Sequence, residues 1–253
     1  MENLVLYEKV GVIGVLKINR PKAFNALSRE VVDLIDEKLE IIKADEEVRA
    51  LIVTSDGNFA AGADIVAMVE LGPEEASKFL FSDTFNKLEN LGIPTIAAIC
   101  GYALGGGLEL ALTCDFRIAS EDAKVGLPEI TLGIMPGAGG TVRLPRLIGE
   151  AKAKEMIMLG GQIKADEALR IGLVSKVVPK EELFDEAMKL AEKLAARPKL
   201  ALKAAKKSIN NGREQANAIQ READIWSGLF ATQDQKEGMR AFVDKRKPQY
   251  VGK

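Results

Sequence analysis

The chain has 253 residues, 35 Lys plus Arg against 37 Asp plus Glu, and no histidine. That length buries a substantial core, and a net charge of −2 with no basic cluster interleaved with aromatics argues against nucleic-acid binding. The missing histidine excludes Ser-His-Asp and Cys-His nucleophiles and removes the commonest metal ligand, so proton transfer in an enzyme of this composition falls to carboxylates.

In chain order, Val5–Val10 and Val12–Ile18 predict a β-hairpin about Gly11, and Asn19–Asn25 reads as a loop. Ser28 is placed to cap a helix reaching about Lys43, with Val31, Val32, Leu34, Ile35, Leu39 and Ile42 at helical spacing. Arg49–Thr54 predicts a short buried strand, and a short helix is expected after Ala60–Ile65. Pro73 opens a helix to about Leu91, and Pro94 precedes a strand over Thr95–Cys100. A glycine-opened helix follows, then a strand at Phe116–Ala119 and an extended piece near Val125. From Pro179 onward the pattern is helical, over Lys180–Ala196, Pro198–Asn211, Glu214–Thr232 and Gln233–Lys247. These last helices serve equally as a cap on the core or as an oligomer contact. The fold class is α/β.

The N-terminus lacks the charged start and apolar stretch of a signal peptide, and no run reaches the ~18 apolar residues of a membrane span. Cys100 and Cys114 are too far apart for a CxxC pair and are expected to be small buried thiols, which suits a reducing cytoplasm.

Chemistry concentrates between Gly101 and Gly140, which hold nine of the 23 glycines and two glutamates in apolar surroundings, Glu109 and Glu129. Gly105-Gly106-Gly107 runs straight into Leu108–Leu112, and a helix opening on glycines leaves backbone N–H groups free for a developing oxyanion. Two carboxylates sharing one apolar pocket cannot both ionise cheaply, so one keeps a proton while the other is a base. Such a pair suits adding water across a polarised double bond. The residues alone leave open whether Glu109 and Glu129 face each other, since structural ion pairs also occupy such positions. No Gly-Lys-Ser/Thr follows the glycines and GxGxxG is not matched, which argues against a nucleotide hydrolase or a dinucleotide fold.

Over nearly its whole length the chain resembles the crotonase superfamily, the enoyl-CoA hydratases and isomerases. The resemblance is carried by Asn19–Leu27, Phe59–Ile65, Gly101–Leu112, Gly126-Leu127-Pro128-Glu129, Gly133–Arg143 and Glu237–Lys247. It implies a spiral of ββα units with a C-terminal helical trimerisation region, dividing the chain into an acyl-CoA-binding core at 1–195 and an oligomerisation region at 196–253. It implies an oxyanion hole from the N–H groups of Ala63 and Gly106, with Glu109 acting on water and Glu129 on the proton of the α-carbon. Coenzyme A then belongs to the substrate, no separate cofactor or metal is implied, and Lys22, Ala23, Ala26, Ala61, Ala63, Asp64 and Ile65 hold it. Phe242 and Lys245 are expected from a neighbouring subunit of a homotrimer or of a hexamer built from two trimers. The presence of both glutamates favours hydration of short-chain enoyl-CoA over isomerisation, which needs only one carboxylate. A non-catalytic binding module, even one for RNA, is the reading from another class. Three positions depart from the pattern of short-chain hydratases. Val66 stands where a lysine often helps hold the nucleotide, and Leu127 and Val142 stand where glutamine is frequent. Residues Met68–Phe81 are expected to wall the acyl pocket.

Overall fold

The computed structural model of the protein describes residues 3–211 and 215–251. Among them, nine strands occur in chain order: β1 (Val5–Val10), β2 (Ile13–Ile18), β3 (Ala50–Ser55), β4 (Thr95–Ile99), β5 (Tyr102–Leu104), β6 (Phe116–Ser120), β7 (Lys124–Gly126), β8 (Gln162–Lys164) and β9 (Lys176–Val178). The larger sheet has the order β1-β2-β3-β4-β6-β9, antiparallel only within the β1–β2 hairpin, and the smaller has the order β5-β7-β8. The hairpin turns at Gly11, whose φ of +60° suits glycine.

Strand alternation divides the core into two layers. Leu51 and Val53 of β3 join Ile35, Leu39 and Leu108 on one side. Ala50 and Ile52 join Leu183, Ala187 and Ala191 of the helix Leu183–Ala195 on the other. The helix Arg29–Ala44 starts as its sequence predicts, with the Ser28 hydroxyl accepting from the Val31 N–H at 3.3 Å. A third apolar cluster gathers Met68, Ile134, Trp226, Phe230 and Met239, joining the C-terminal helices to the segment around Met68.

The structure differs from the sequence expectations at several points. The helix expected over Pro73–Leu91 is two helices, Pro73–Phe79 and Ser82–Glu89. Leu80 between them turns to ψ 143°, and its carbonyl accepts from Arg29 Nη1 at 2.7 Å rather than from a helical N–H. The break lets Phe79 and Phe81 both face one cavity. The last helix is Gln233–Val243 and stops short of Lys247, with Lys245 at φ +55°. The helix Gln215–Gly228 lies within the expected span, whose first residue Glu214 is outside the described residues. Both cysteines are buried free thiols, as expected, and burial pushes Cys114 up to about 12. Among the described residues no helix is long and apolar enough to cross a membrane.

Candidate active site

The site is built where the glycine-opened helix Gly106–Thr113 leaves β5. Gly105, its N-cap, has φ +49° and ψ −127°, and a Cβ there would lie 3.0 Å from Glu129 Oε1. Gly107 is required by contact, because a Cβ on it would lie 2.1 Å from the Ala60 carbonyl. Segment 59–63 therefore lies against both the helix start and β5. The Ala60 N–H donates to the Tyr102 carbonyl at 2.9 Å, and the Leu104 N–H donates to the Ala60 carbonyl at 3.0 Å. On its other side the segment bridges to Leu27: the Leu27 N–H donates to Gly62 O at 2.8 Å and the Asp64 N–H to Leu27 O at 2.9 Å. Those bonds use the residues flanking Ala63 and leave its own N–H facing away from Leu27. A Cβ on Gly106 would lie 3.7 Å from Ala63 N, so the two amides are neighbours. Among the described residues neither N–H donates to a protein acceptor.

Both amide positions line a cavity of about 460 Å³, together with Glu109 and Glu129. That volume is in the range of small-molecule sites. Glu109 sits one turn into the helix and is 3% exposed, while Glu129 opens a short 3-10 turn, Glu129–Leu132, and is 8% exposed. Their hydrogen bonding is unlike. Glu109 Oε1 accepts the N–H groups of Ala138 and Gly140, each at 2.8 Å. Glu129 Oε2 is buried and, among the described residues, has no partner. Burial, then the charge of Glu222, pushes the Glu109 carboxyl up to about 8 against the pull of its two N–H donors. Burial, then the charge of Glu109, holds Glu129 well above the ordinary carboxylate range. Two donated N–H bonds favour the anion on Glu109, and an apolar unpartnered setting favours the acid on Glu129.

Glu109 folded thus takes up a proton more readily than Glu109 unfolded. Its share of stability is intact below the ordinary value of 4.5 and is lost as pH rises through about 8. Glu109→Gln keeps the amide acceptor and removes the charge. The variant is expected to match the wild-type melting temperature near pH 5 and to exceed it by roughly 5–10 °C near pH 9, read by thermal denaturation across pH. A pH-independent difference would contradict the raised carboxyl.

The cavity gathers Ala61, Ala63, Ile65, Gly106, Glu109, Glu129 and Phe242 of the residues expected from sequence. Phe24 and Phe242, each 59% exposed, mark its open side. Lys22, Ala23 and Ala26 flank Phe24 without lining the cavity, and Asp64 turns away to pair with Arg20 at 2.9 Å. The Ala61 N–H is taken by the Phe24 carbonyl at 3.1 Å. Phe242 reaches the cavity of its own chain, which differs from the expectation of a neighbouring subunit. Its helix is docked there through Gly238, which fits against the backbone of Leu132. Lys245 does not line the cavity. Met68, Phe79, Leu80 and Phe81, all within the stretch expected to wall the acyl pocket, line it. Val66 is 70% exposed, and Leu127 is fully buried.

Sequence reasoning missed Glu222, Trp226 as a lining residue, and the pair Arg143–Glu89 at 2.8 Å. Glu222 had a readable signal: with Ile219, Ala223 and Trp226 it lies on the buried face of the helix Gln215–Gly228. Arg143 offered no such signal. It donates to the Ala138 carbonyl at 2.7 Å, behind the loop that serves Glu109.

A spiral α/β fold holding paired buried carboxylates beside two unclaimed amides defines a class: enzymes that stabilise an enolate and move protons around it. The family model for enoyl-CoA hydratase/isomerase matches residues 8–253, and the chain belongs to that family. It is 47% identical to a crotonyl-CoA hydratase of Syntrophomonas wolfei over all of this chain and 99% of that protein. It is also 47% identical to a short-chain-enoyl-CoA hydratase of Clostridium acetobutylicum, covering 97% of this chain and 96% of that one. Among solved structures, an enoyl-CoA hydratase subunit of Geobacillus kaustophilus matches with a TM-score of 0.80 at 42% identity, covering 99% of this chain and 98% of that one. A carnitinyl-CoA hydratase of Mycobacterium avium matches with a TM-score of 0.89 at 31% identity over the whole of both chains.

Proposed function

We propose that the protein reversibly hydrates short-chain trans-2-enoyl-CoA, crotonyl-CoA among them, to 3-hydroxyacyl-CoA. The observation that carries this reading is the unlike hydrogen bonding of Glu109 and Glu129 on one cavity, beside the free amides of Ala63 and Gly106. The names of the Syntrophomonas and Clostridium relatives support it.

The thioester carbonyl accepts from the Ala63 and Gly106 N–H groups, which polarises the conjugated double bond and makes C3 electrophilic. Glu109 takes a proton from water as its oxygen bonds to C3. Negative charge collects on the carbonyl oxygen, and the resulting enolate takes a proton at C2 from Glu129. One proton is gained by Glu109 and one lost by Glu129, so a transfer between the two resets the site. Ala61 and Ile65 line the path for the pantetheine arm. Lys22, Ala23, Ala26 and Asp64 belong to the loops beside it, and Lys245 follows Phe242 by three residues. The assembly in this reading is a homotrimer or a pair of trimers. It is supported by the exposed apolar side chains of Ile130, Met158 and Leu159, the first of which lies against Gly160 at the end of the helix Glu150–Leu159 that carries the other two. Two buried, unpaired thiols fit a cytoplasmic setting.

The test is hydration of crotonyl-CoA, followed as loss of absorbance of the conjugated thioester. Wild-type protein without turnover at any acyl length would overturn the reading. Isomerisation of 3-enoyl-CoA without hydration would favour the isomerase instead.

Short-chain preference has a structural counterpart. The Trp226 indole lines the cavity and fills the space beside Gly137, where a Cβ would lie 2.5 Å from the ring. Gly137 adjoins Ala138, which holds Glu109, so the acyl tail beyond C3 runs toward this indole. Trp226→Ala is expected to raise the kcat/KM ratio of an eight-carbon over a four-carbon enoyl-CoA by about tenfold, the order that one or two methylenes of pocket contact are worth. An unchanged ratio in a folded variant would place the acyl end elsewhere.

A further inference from the structure

Glu222 lies on the helix Gln215–Gly228, is 3% exposed, and takes no part in the acid–base pair. Its partners are nevertheless interleaved with those of Glu109. Four consecutive backbone amides divide between the two carboxylates in alternation. The N–H groups of Ala138 and Gly140 donate to Glu109 Oε1 at 2.8 Å. The N–H of Gly139 donates to Glu222 Oε2, that of Thr141 to Glu222 Oε1 at 2.6 Å, and the Thr141 hydroxyl also donates to Oε1. Gly139 supplies the φ of +101° that lets neighbouring amides diverge, and a Cβ on Gly140 would lie 2.9 Å from Glu109 Oε1. One turn beyond Glu222, the Trp226 ring packs on Gly137. The helix therefore grips the loop at 137 and again at 139 and 141. Without Glu222 the buried Gly139 amide would lose its acceptor, and such a loop relaxes toward any other one.

We propose that Glu222 is a positioning residue for hydration, holding the 137–141 loop from behind so that the Ala138 and Gly140 amides converge on Glu109. The proposal rests on the reading of Glu109 as the base. Glu222 also acts through charge. Its anion opposes ionisation of Glu109 and of Glu129, so a charged Glu222 makes Glu109 a stronger base. Burial raises Glu222 itself, against the pull of its Thr141 and Gly139 donors. The groups facing it from the packed elements are Glu109, Glu129 and Arg143, the last paired with Glu89. Glu74, Glu75 and Lys78 of the helix Pro73–Phe79 are exposed, as are Arg221 and Asp224 on its own helix.

The experiment compares wild type, Glu222→Gln and Glu222→Asp in crotonyl-CoA hydration across pH, with folding checked by circular dichroism and melting temperature. Glu222→Gln keeps the volume but loses the charge and one acceptor. It is expected to lower kcat by about 10²-fold, the scale of a small misplacement of a reacting group, with KM within about twofold. The acid limb of its kcat/KM profile moves to lower pH, because an anion beside Glu109 is gone. Glu222→Asp keeps the charge and both acceptors, so it is expected to keep the wild-type limb and to recover at least about tenfold in kcat over the Gln variant. A folded Glu222→Gln with wild-type kcat and an unmoved limb overturns the proposal. So do equal losses in both variants with an unmoved limb, because a purely structural role predicts that pattern. Should Glu222→Gln not fold, a Glu222→Asp enzyme with a displaced acid limb or with no more than a hundredth of wild-type kcat overturns it, and one with the wild-type limb and at least a tenth of wild-type kcat supports it. Inactive wild type would overturn the hydratase reading and this proposal together, whereas an active wild type with an indifferent Glu222→Gln overturns this proposal alone.

Discussion

Glu109→Gln and Glu129→Gln are each expected to lower kcat for crotonyl-CoA hydration by about 10²–10⁴-fold while changing KM far less, since general acid–base assistance is worth that much in the transition state. Each substitution leaves the ground-state contacts in place. A glutamine at position 109 still accepts from Ala138 and Gly140, and one at 129 fills the same buried volume. What is lost is the proton each must move. The two carboxylates influence each other's ionisation, so the losses should not multiply: the double variant is expected to be faster than the product of the single effects predicts. Steady-state kinetics on the four proteins measure this directly. Full activity in either single variant removes that residue from the mechanism, and strictly multiplicative losses would show two independent groups rather than a coupled pair.

The residues that were easiest to read in the sequence are those whose local pattern and tertiary role agree. The β1–β2 hairpin and the helix capped by Ser28 follow from alternation and from a cap, and both formed where their residues place them. The glycine-opened helix was legible because three successive glycines have little use except close approach, and Gly107 against Ala60 is that approach. Segments whose form depends on distant partners were not legible. The break at Leu80 is set by Arg29, 51 residues earlier. Strands β5, β8 and β9 are three residues each, too short to carry a period, and they exist because a neighbouring strand offers its edge. The helices Gly140–Ile148, Glu150–Leu159 and Ala165–Arg170 went unread for a related reason, since glycines at 139, 149 and 160 punctuate them at short intervals. The site shows the same division. Glu109 and Glu129 drew attention because charge in an apolar setting is anomalous within a few residues. Glu222 is anomalous only on its helix face, and its partners lie 81 and 83 residues away.

Gly106→Pro is expected to reduce hydration by about 10²–10³-fold, the loss that follows removal of one oxyanion donor. The substitution is unusually well placed as a test. Gly106 is the first residue of its helix, where proline is favoured because that N–H has no helical partner and the fixed φ suits the first turn. The helix therefore tolerates the ring, and the chief loss is the hydrogen assigned to the thioester oxygen in the proposed mechanism. Gly106→Ala supplies the control. It keeps the N–H, and its methyl would meet nothing nearer than 3.6 Å, the Phe81 ring, with Ala63 N and Leu27 at 3.7 Å. The comparison separates loss of the donor from added bulk. If the amide binds the developing enolate, the proline enzyme should be at least about tenfold slower than the alanine enzyme, with both folded by circular dichroism. The loss should fall on kcat, because the oxygen carries most of its charge only in the transition state. Equal rates in the two folded variants would mean that the Gly106 N–H does not contact the reacting carbonyl, and the oxyanion role would then rest on Ala63 and a donor other than Gly106.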